Sequence, residues 1–293
     1  MALHEILTDA ELAQLCHNEN RDLINPRIVK ISNEAVIKFG QIRPEEAENL
    51  RIARAILDPT IIRVPEFYRF FIQRSESYLV MEYIEGRIPS ESEYHVLAEQ
   101  MNNVLRYFRS LFSLNGRPGS LDGGISRGHF WKSDYPNFQT AEQLENWINK
   151  RVPISFKISF QNCDLVFSHL DLAPRNIIKK DDGTLYLVDW EAAGYYPKCF
   201  ELAAIQMTNK YTTNFESILL EMIRKDLGAR ESTNAHCVME AWYKSDCTFF
   251  KPTPISNRPQ QLDIKAFITR YGTESSKSLG PAPPVPSGIS CVH

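Results

Sequence analysis

A short β-hairpin predicted near the middle of the chain constrains the fold more than any other feature. Residues 176–190 read NIIKKDDGTLYLVDW, which is two apolar runs on either side of Asp182-Gly183. Asp-Gly favours a two-residue type I′ turn, because both central positions of that turn need positive φ. Asn176 then lies directly opposite Asp189 on one side of the ladder, with Cβ atoms about 5 Å apart. An amide and a carboxylate placed in this way offer the hard oxygen ligands that Mg²⁺ prefers.

Asp171 lies on the loop that leads into this hairpin, five residues before Asn176. The spacing His169-x-Asp171-x4-Asn176, followed by an apolar strand that ends in Asp189, matches the catalytic loop of kinases. In that arrangement one Asp orients the acceptor hydroxyl and takes its proton, while the Asn and the second Asp hold metal at the ATP phosphates. Alone, the short motif also fits a capped turn. The hairpin and Asp189 at the matching position favour the chemical interpretation.

The bulk composition indicates an ordinary globular protein. The chain has 293 residues, of which 43% are hydrophobic and 24% charged, and its net charge is -3. This balance gives no basic field for nucleic acid or an anionic membrane, so neither is expected as a partner. The N-terminus lacks the pattern of a signal peptide, and no apolar run approaches the roughly 18 residues of a membrane span. The six cysteines show no metal-binding spacing, so we expect reduced thiols in a cytoplasmic protein.

The pattern of elements changes along the chain. The first third predicts a helix over 8–18, a hairpin over 27–39, a helix that begins at Pro44, and an apolar strand over 78–84. Later periodicity predicts helices over 93–114, 140–150, 201–227 and 233–250. Two stretches rich in Ser, Pro and Gly stand apart: 115–135, which is expected to be functional or mobile, and 273–293, which is expected to be a disordered tail.

The segments SHLDLAPRNII and LVDWEAAGYYP resemble the aminoglycoside phosphotransferase and choline kinase superfamily, in particular its fungal phosphotransferase branch. The similarity continues upstream through EAVIKFG, PEEAENLRIAR, RVPEFYRFF and YLVMEYIEG, and covers roughly residues 25–250. The resemblance implies an α+β, two-lobed, protein-kinase-like fold with ATP in the cleft. The small lobe, mainly antiparallel β with one main helix, would comprise residues 1–84. The larger, mainly helical lobe would comprise 85–272, before the tail at 273–293.

The resemblance also implies two charged residues at the ATP phosphates. Lys38, in the strand VIKF, corresponds to the lysine that contacts the phosphates, and Glu48 on the next helix would be its ion-pair partner. Glu45 and Glu46 compete for that pairing. Pattern alone equally fits Lys38 as an exposed strand residue and Glu48 as a solvated helix charge.

The apolar strand 78–84 corresponds in the family to the strand that enters the hinge. There the backbone of Glu82 and Ile84 would bond adenine, and Met81 would line the back of the pocket. Backbone contacts tolerate any side chain, so a purely structural core strand is the alternative.

Three further residues around the motif have more than one interpretation. Glu191 is an outer metal ligand, a contact for a cationic substrate, or a cap of the next segment. Arg175 neutralises the transferring phosphate or forms a surface ion pair. His169 is expected to be architectural, with its ring bonding backbone near Asp189.

Two departures from the family pattern bear on function. The predicted first hairpin turns at Ser32-Asn33-Glu34 and has no glycine-rich loop, and Leu170 stands where the family commonly has glycine. The sequence predicts an ATP- and Mg²⁺-dependent transfer of the γ-phosphate to a hydroxyl of a small molecule, for which a cationic amine is one candidate. The alternatives are a kinase-like nucleotide-binding or regulatory protein without turnover, and a biosynthetic enzyme on the same scaffold. The oligomeric state stays open.

Overall fold

A five-stranded antiparallel sheet forms the N-terminal part of the protein, and helices dominate the rest. The computed structural model describes residues 2–19, 21–131, 135–208 and 214–247. This arrangement confirms the predicted α+β class. The predicted C-terminal boundary at 272 and the predicted tail at 273–293 lie outside the described residues.

The N-terminal sheet has the order β1-β2-β3-β5-β4. Its strands are β1 (Asp22–Asn25), β2 (Ile28–Lys30), β3 (Ala35–Gly40), β4 (Phe67–Gln73) and β5 (Glu76–Glu82). Two short helices, α1 (Leu3–Ile6) and α2 (Asp9–His17), precede it. The Thr8 hydroxyl caps α2 by accepting a bond from the Glu11 amide at 3.3 Å, as the sequence predicts. Leu12 and Cys16 of α2 are fully buried in a cluster with residues of the sheet's outer face.

Alternation along β3 divides its side chains between the two faces of the sheet. Ile37 and Phe39 pack in the cluster with α2, whereas Lys38 belongs to the opposite face. Helix α3 (Pro44–Ile56) follows β3, and its first residue is the proline that suits the first helical position. Lys38 and α3 are thereby placed on the side of the sheet where the cavities described below lie.

The remaining chain builds a helical core around two small β elements. Its helices are α4 (Tyr94–Phe108), α5 (Ala141–Asn149), α6 (Cys199–Thr208) and α7 (Asn214–Cys247). A three-stranded sheet has the order β6-β10-β7, formed by Gly119–Ser120, Gly194–Pro197 and Leu165–Ser168. The predicted helix 201–227 is wrong as one element, because α6 and α7 pack against each other; the residues between Thr208 and Asn214 lie outside the described ranges. The later break falls at Gly228, whose φ of 80° interrupts α7.

The central hairpin, β8 (Ile177–Lys179) with β9 (Leu185–Leu187), differs from the prediction by one residue. Its loop has three residues rather than two: Lys180 and Thr184 close it, and Gly183 takes the left-handed conformation with φ 85°. Such a loop is a type I turn followed by a residue in the left-handed region. The residue opposite Asn176 is therefore Val188, whose amide donates to the Asn176 carbonyl at 2.9 Å, and the predicted pairing with Asp189 is wrong.

Two expectations about the chain's chemistry concern cysteines and membranes. The four cysteines whose side chains are described, Cys16, Cys163, Cys199 and Cys237, are free thiols, as predicted. Within the described ranges, no helix combines the length and the apolar character that a membrane span requires.

Candidate active site

The catalytic loop begins directly after β7, and its backbone is held by buried polar contacts. Leu170 is 1% exposed and has φ 62°, a left-handed conformation that glycine adopts most easily. The His169 ring is buried between backbone groups: Nε2 donates to the Val188 carbonyl at 3.2 Å, and Nδ1 accepts from the Asp171 amide at 3.3 Å. Burial also lowers the pKa of His169, which keeps the ring neutral. The predicted architectural role of His169 is confirmed.

Glu201, in the first turn of α6, supports the same loop and is a residue that the sequence reasoning missed. Its carboxylate accepts bonds from the His169 amide at 2.7 Å and from the Leu170 amide at 3.2 Å. Burial raises the pKa of Glu201 to about 7, although both amides and Arg109 oppose that rise. The contact spans more than thirty residues of sequence, so no local pattern indicated it.

Asp171 lies in a network with Arg175 and Asn176. The Asn176 side-chain nitrogen donates to Asp171 Oδ2 at 2.7 Å and to its carbonyl at 2.8 Å. These bonds turn the Asn176 side-chain oxygen away from Asp171 and leave it as a potential metal ligand. The Arg175 side chain is 52% exposed and forms an ion pair with Asp171. Its partner is therefore a carboxylate of the motif itself.

Lys38 forms two ion pairs, one to Glu46 at 2.6 Å and one to Asp189 at 3.1 Å. The predicted partner Glu48 is wrong: Glu48 pairs with Arg51 on the exposed side of α3. Two residues correspond to about 200° around a helix, so Glu46 and Glu48 point in nearly opposite directions. Burial alone would lower the pKa of Lys38, but the charges of Glu46 and Asp189 outweigh it and raise that pKa.

A cluster of carboxylates surrounds the end of the Lys38 side chain. One oxygen each from Glu46, Asp189 and Glu191 lie within 4.8 Å of one another. Asp189 has φ 67°, the left-handed conformation, and this bend takes it out of the strand direction toward the cluster. Oxygen donors of this kind, together with the Asn176 side-chain oxygen, fit the chemistry of Mg²⁺.

Two cavities meet at this cluster. The first has a volume of about 350 Å³ and lies on the face of the sheet that carries Lys38. Its lining residues include Lys38, Glu46, Met81 and Asn176. The second has a volume of about 420 Å³ and is lined by Gly128, Tyr135, Asp171, Arg175, Asp189, Glu191 and Ala192. Arg175, Asp189 and Glu191 line both cavities.

Of the three residues predicted to contact adenine, only one lines the first cavity. Met81 lines it, as predicted, whereas Glu82 and Ile84 are not among its lining residues. The Glu82 amide donates to the Glu66 carbonyl at 2.9 Å, so this amide is already engaged within the protein.

The predicted hairpin with its Ser32-Asn33-Glu34 turn is formed by β2 and β3, but the turn beside the first cavity is Asn25-Pro26-Arg27, between β1 and β2. Asn25, Arg27 and Ile28 line the cavity. The turn offers few backbone donors, because proline has no N–H and the Arg27 amide donates to Asn25 Oδ1 at 2.9 Å. The sequence reasoning missed β1 because its four residues are all exposed and lack a hydrophobic pattern.

Part of the long segment 115–135 forms a wall of the second cavity. Gly128, with φ 88°, lies so close to Ala192 that an added Cβ would be 2.4 Å from the Ala192 Cβ. Arg127 forms an ion pair with Glu45 of α3 at 2.8 Å and lies 4.5 Å from the centre of the Tyr135 ring. Gly128 and Tyr135 of this segment thus line the second cavity, and the expectation that 115–135 is functional or mobile stays a prediction.

Comparisons with known proteins place this geometry in a family. Residues 56–237, more than half of the chain, match the family model described as choline/ethanolamine kinase. A search of curated proteins found no match. The fungal branch stays a prediction.

Among solved structures, similar chains include aminoglycoside phosphotransferase APH(4)-Ia and the choline kinase LicA from Streptococcus pneumoniae. The apo form of a thermostable APH(4)-Ia mutant has a TM-score of 0.56 at 13% identity, covering 76% of this chain and 84% of that one. A ternary complex of the same enzyme with AMP-PNP and hygromycin B gives 0.55 at 12% identity, with 76% and 83% coverage. LicA gives 0.47 at 18% identity, with 79% and 85% coverage. At these identities the likeness to APH(4)-Ia shows the fold alone, and it is the match to the family model that shows the chain to belong to the choline/ethanolamine kinase family of small-molecule kinases.

Proposed function

We propose that this protein transfers the γ-phosphate of ATP to a hydroxyl group of a small molecule. The observation that carries the proposal is the meeting of two cavities at Arg175, Asp189 and Glu191, with Lys38 in the first and Asp171 in the second. Phosphoryl transfer requires a donor and an acceptor placed in line, with charge neutralised between them. Two adjoining cavities that share lining residues support a placement of this kind.

The first cavity suits the nucleotide. Lys38 carries its charge beside Asp189 and would contact the phosphates, while Met81 would contact the base. Asp189, Glu191 and the oriented oxygen of Asn176 would hold Mg²⁺, which supplies neutralisation of the phosphate charge when it is bound. The backbone of Glu82 and Ile84 at the hinge remains our proposed adenine contact.

The second cavity suits the acceptor. Asp171 accepts the proton of the acceptor hydroxyl as that oxygen forms a bond to the γ-phosphorus, and the bond from phosphorus to the leaving oxygen of ADP breaks. Arg175 lines both cavities and would neutralise charge on the transferred group. Three carboxylates and one arginine line this cavity, and from this balance we propose an acceptor with a cationic amine, such as an amino alcohol or an aminoglycoside.

The proposal is tested by ADP release on a panel of amino alcohols, aminoglycosides, sugars and nucleosides. Asp171→Asn is expected to lower turnover at least about 100-fold, because general-base catalysis contributes about that much or more. The matched control, Asp181→Asn, exchanges an exposed carboxylate in the hairpin loop and should leave turnover unchanged. Nucleotide affinity, measured by calorimetry, should stay within about threefold of wild type in both variants, because Asp171 lies in the acceptor cavity.

Two outcomes would contradict the assignments. Equal turnover in wild type and Asp171→Asn would remove Asp171 from the reaction. Tight Mg-ATP binding without ADP release on the whole panel would favour a nucleotide-binding protein without turnover.

A further inference from the structure

Asn49, in the middle of α3, joins three segments around the proposed active site. Its side-chain nitrogen donates to the carbonyls of Trp190 and Ala193, both at 3.0 Å. Its side-chain oxygen accepts from the Ser120 hydroxyl at 2.8 Å and from the Leu121 amide at 3.0 Å. The sequence reasoning gave this residue no role.

These contacts occupy all the hydrogen-bonding positions of the Asn49 side-chain amide. A primary amide has two N–H donors and an oxygen with two lone pairs, and Asn49 is 0% exposed with all four positions bonded. Loss of one partner in such a site leaves a buried polar group unsatisfied. Aspartate has the same size but lacks the donors, and alanine lacks both donors and acceptor. The site is therefore specific for asparagine.

The segment that receives the two donated bonds carries the carboxylates of the candidate metal site. Asp189, with φ 67°, directly precedes Trp190, and Glu191 follows it. A non-glycine residue in the left-handed region persists only where surrounding contacts fix it. The bonds from Asn49 fix the carbonyls of Trp190 and Ala193, and a longer contact of 3.5 Å reaches the carbonyl of Glu191 itself.

The Asn49 oxygen bonds a segment, residues 120–128, that reaches the second cavity and that we call the acceptor wall. Ser120 and Leu121 begin the stretch that reaches Gly128 in the second cavity. The backbone before this stretch lies very close to the segment that follows Glu191. A Cβ added to Gly194 would be 2.1 Å from the Gly119 carbonyl oxygen, so only glycine fits there. Asn49 thus fastens the two segments to α3, which also carries Glu46, the partner of Lys38.

We infer that Asn49 is a positioning residue that holds the Asp189–Glu191 segment in its metal-binding arrangement and couples it to the acceptor wall. The inference rests on the proposed function, since it assumes that the site binds Mg²⁺ with a nucleotide. Residues that orient metal ligands without touching the metal change metal affinity or activity by about 10- to 100-fold when mutated. A residue that only stabilised the fold would instead lower stability and leave the Mg²⁺ dependence of the folded protein unchanged.

The test is calorimetric titration of AMP-PNP at a series of Mg²⁺ concentrations, with metal-free AMP as the reference ligand. Asn49→Ala is expected to need at least about tenfold more Mg²⁺ for half-maximal AMP-PNP binding, with AMP affinity within about twofold of wild type. The matched control is Ser120→Ala, which removes one bond to the Asn49 oxygen and leaves both bonds to the metal-side carbonyls. It should shift the Mg²⁺ requirement by less than about twofold.

A folded Asn49→Ala variant with the wild-type Mg²⁺ requirement would overturn the inference while leaving the proposed function intact. Wild-type protein that binds no AMP-PNP at any Mg²⁺ concentration would instead reject the proposed function, and the inference with it. If Asn49→Ala does not fold, amide hydrogen exchange in the wild type decides. The Leu121 amide should exchange at least about tenfold more slowly with Mg²⁺ and AMP-PNP than with AMP, and equal rates would overturn the coupling.

Discussion

At the scale of single residues, the catalytic loop depends on a carboxylate that no motif contains. Glu201 receives two consecutive backbone amides, from His169 and Leu170, and so fixes the left-handed turn just before Asp171. Leucine at position 170 departs from the glycine that the family commonly has there. The two bonds from Glu201 offset the backbone strain of that departure, which is of the order of 1–3 kcal/mol for a non-glycine residue in a sparsely populated region.

The buried position of Glu201 predicts a pH dependence of stability. Burial raises its pKa to about 7, whereas an unfolded glutamate titrates near 4.5. The folded protein therefore binds this proton more tightly, and the free energy of unfolding falls as pH rises from about 5 to about 7. Glu201→Gln removes this contribution, which we expect to be about 2–3 kcal/mol between pH 5 and pH 8.

Urea denaturation of wild type and Glu201→Gln at pH 5, 6, 7 and 8 measures this difference. Burial also raises the pKa of Glu46 to about 7, but Glu46 is present in both proteins and cancels in the comparison. Parallel stability curves for the two proteins would show that Glu201 does not titrate in this range.

At the scale of secondary-structure elements, the sequence predicted which segments form elements better than it predicted their register. Helix α3 was predicted from Pro44 and its acidic first turn, but which acid faces inward depends on packing against the sheet, and Glu46 rather than Glu48 does so. The central hairpin was predicted from its apolar runs and Asp182-Gly183. Its register depended on whether glycine takes the second of two turn positions or the last of three, a choice that the residue types leave open.

The turn between β1 and β2 gives a prediction about nucleotide phosphates. Kinases with glycine-rich loops cover the phosphates with backbone amides, but here the Arg27 amide is bonded to Asn25 and Pro26 has none. Arg27 lines the first cavity, and its guanidinium has no hydrogen bond or ion pair to any residue in the described ranges. We expect this side chain to contact the β- and γ-phosphates, so Arg27→Gln should weaken AMP-PNP binding about three- to tenfold and leave AMP binding unchanged.

The control for this exchange is Arg74→Gln, which removes an exposed arginine at the β4–β5 turn, away from the cavity. Calorimetric titrations with AMP-PNP and with AMP distinguish the two variants. Equal losses for both nucleotides in Arg27→Gln would point to a general change in the cavity rather than a phosphate contact.

At the scale of the whole molecule, contacts far apart in sequence join the N-terminal sheet and α3 to the helical part. Lys38 reaches Asp189, and Asn49 reaches both Ser120 and Ala193. The α+β class and the location of the catalytic motif could be predicted from local patterns and the family resemblance. These joining contacts could not, because each depends on two segments that approach one another only in the folded chain.

The ion pair between Arg127 and Glu45 gives a prediction at this scale, because it links the acceptor wall to α3. The Arg127 side chain is 10% exposed and that of Glu45 is 16% exposed. Within the described ranges, Arg127 Nε and Glu45 Oε2 have no hydrogen-bond partner, so the 2.8 Å contact and the Tyr135 ring beside Arg127 compensate two largely buried charges. Removing one partner leaves the other charge buried and unpaired, which we expect to cost about 2–3 kcal/mol.

A double-mutant cycle with Glu45→Gln and Arg127→Gln, followed by urea denaturation, measures this coupling. The double variant should lose less stability than the sum of the losses in the two single variants, because it leaves no buried charge. The pair Glu48–Arg51 on the same helix is the matched control: its side chains are 37% and 55% exposed, and water already compensates their charges. A coupling in the Glu45–Arg127 cycle no larger than in the control cycle would mean that the acceptor wall is held to α3 by Asn49 and backbone packing rather than by this ion pair.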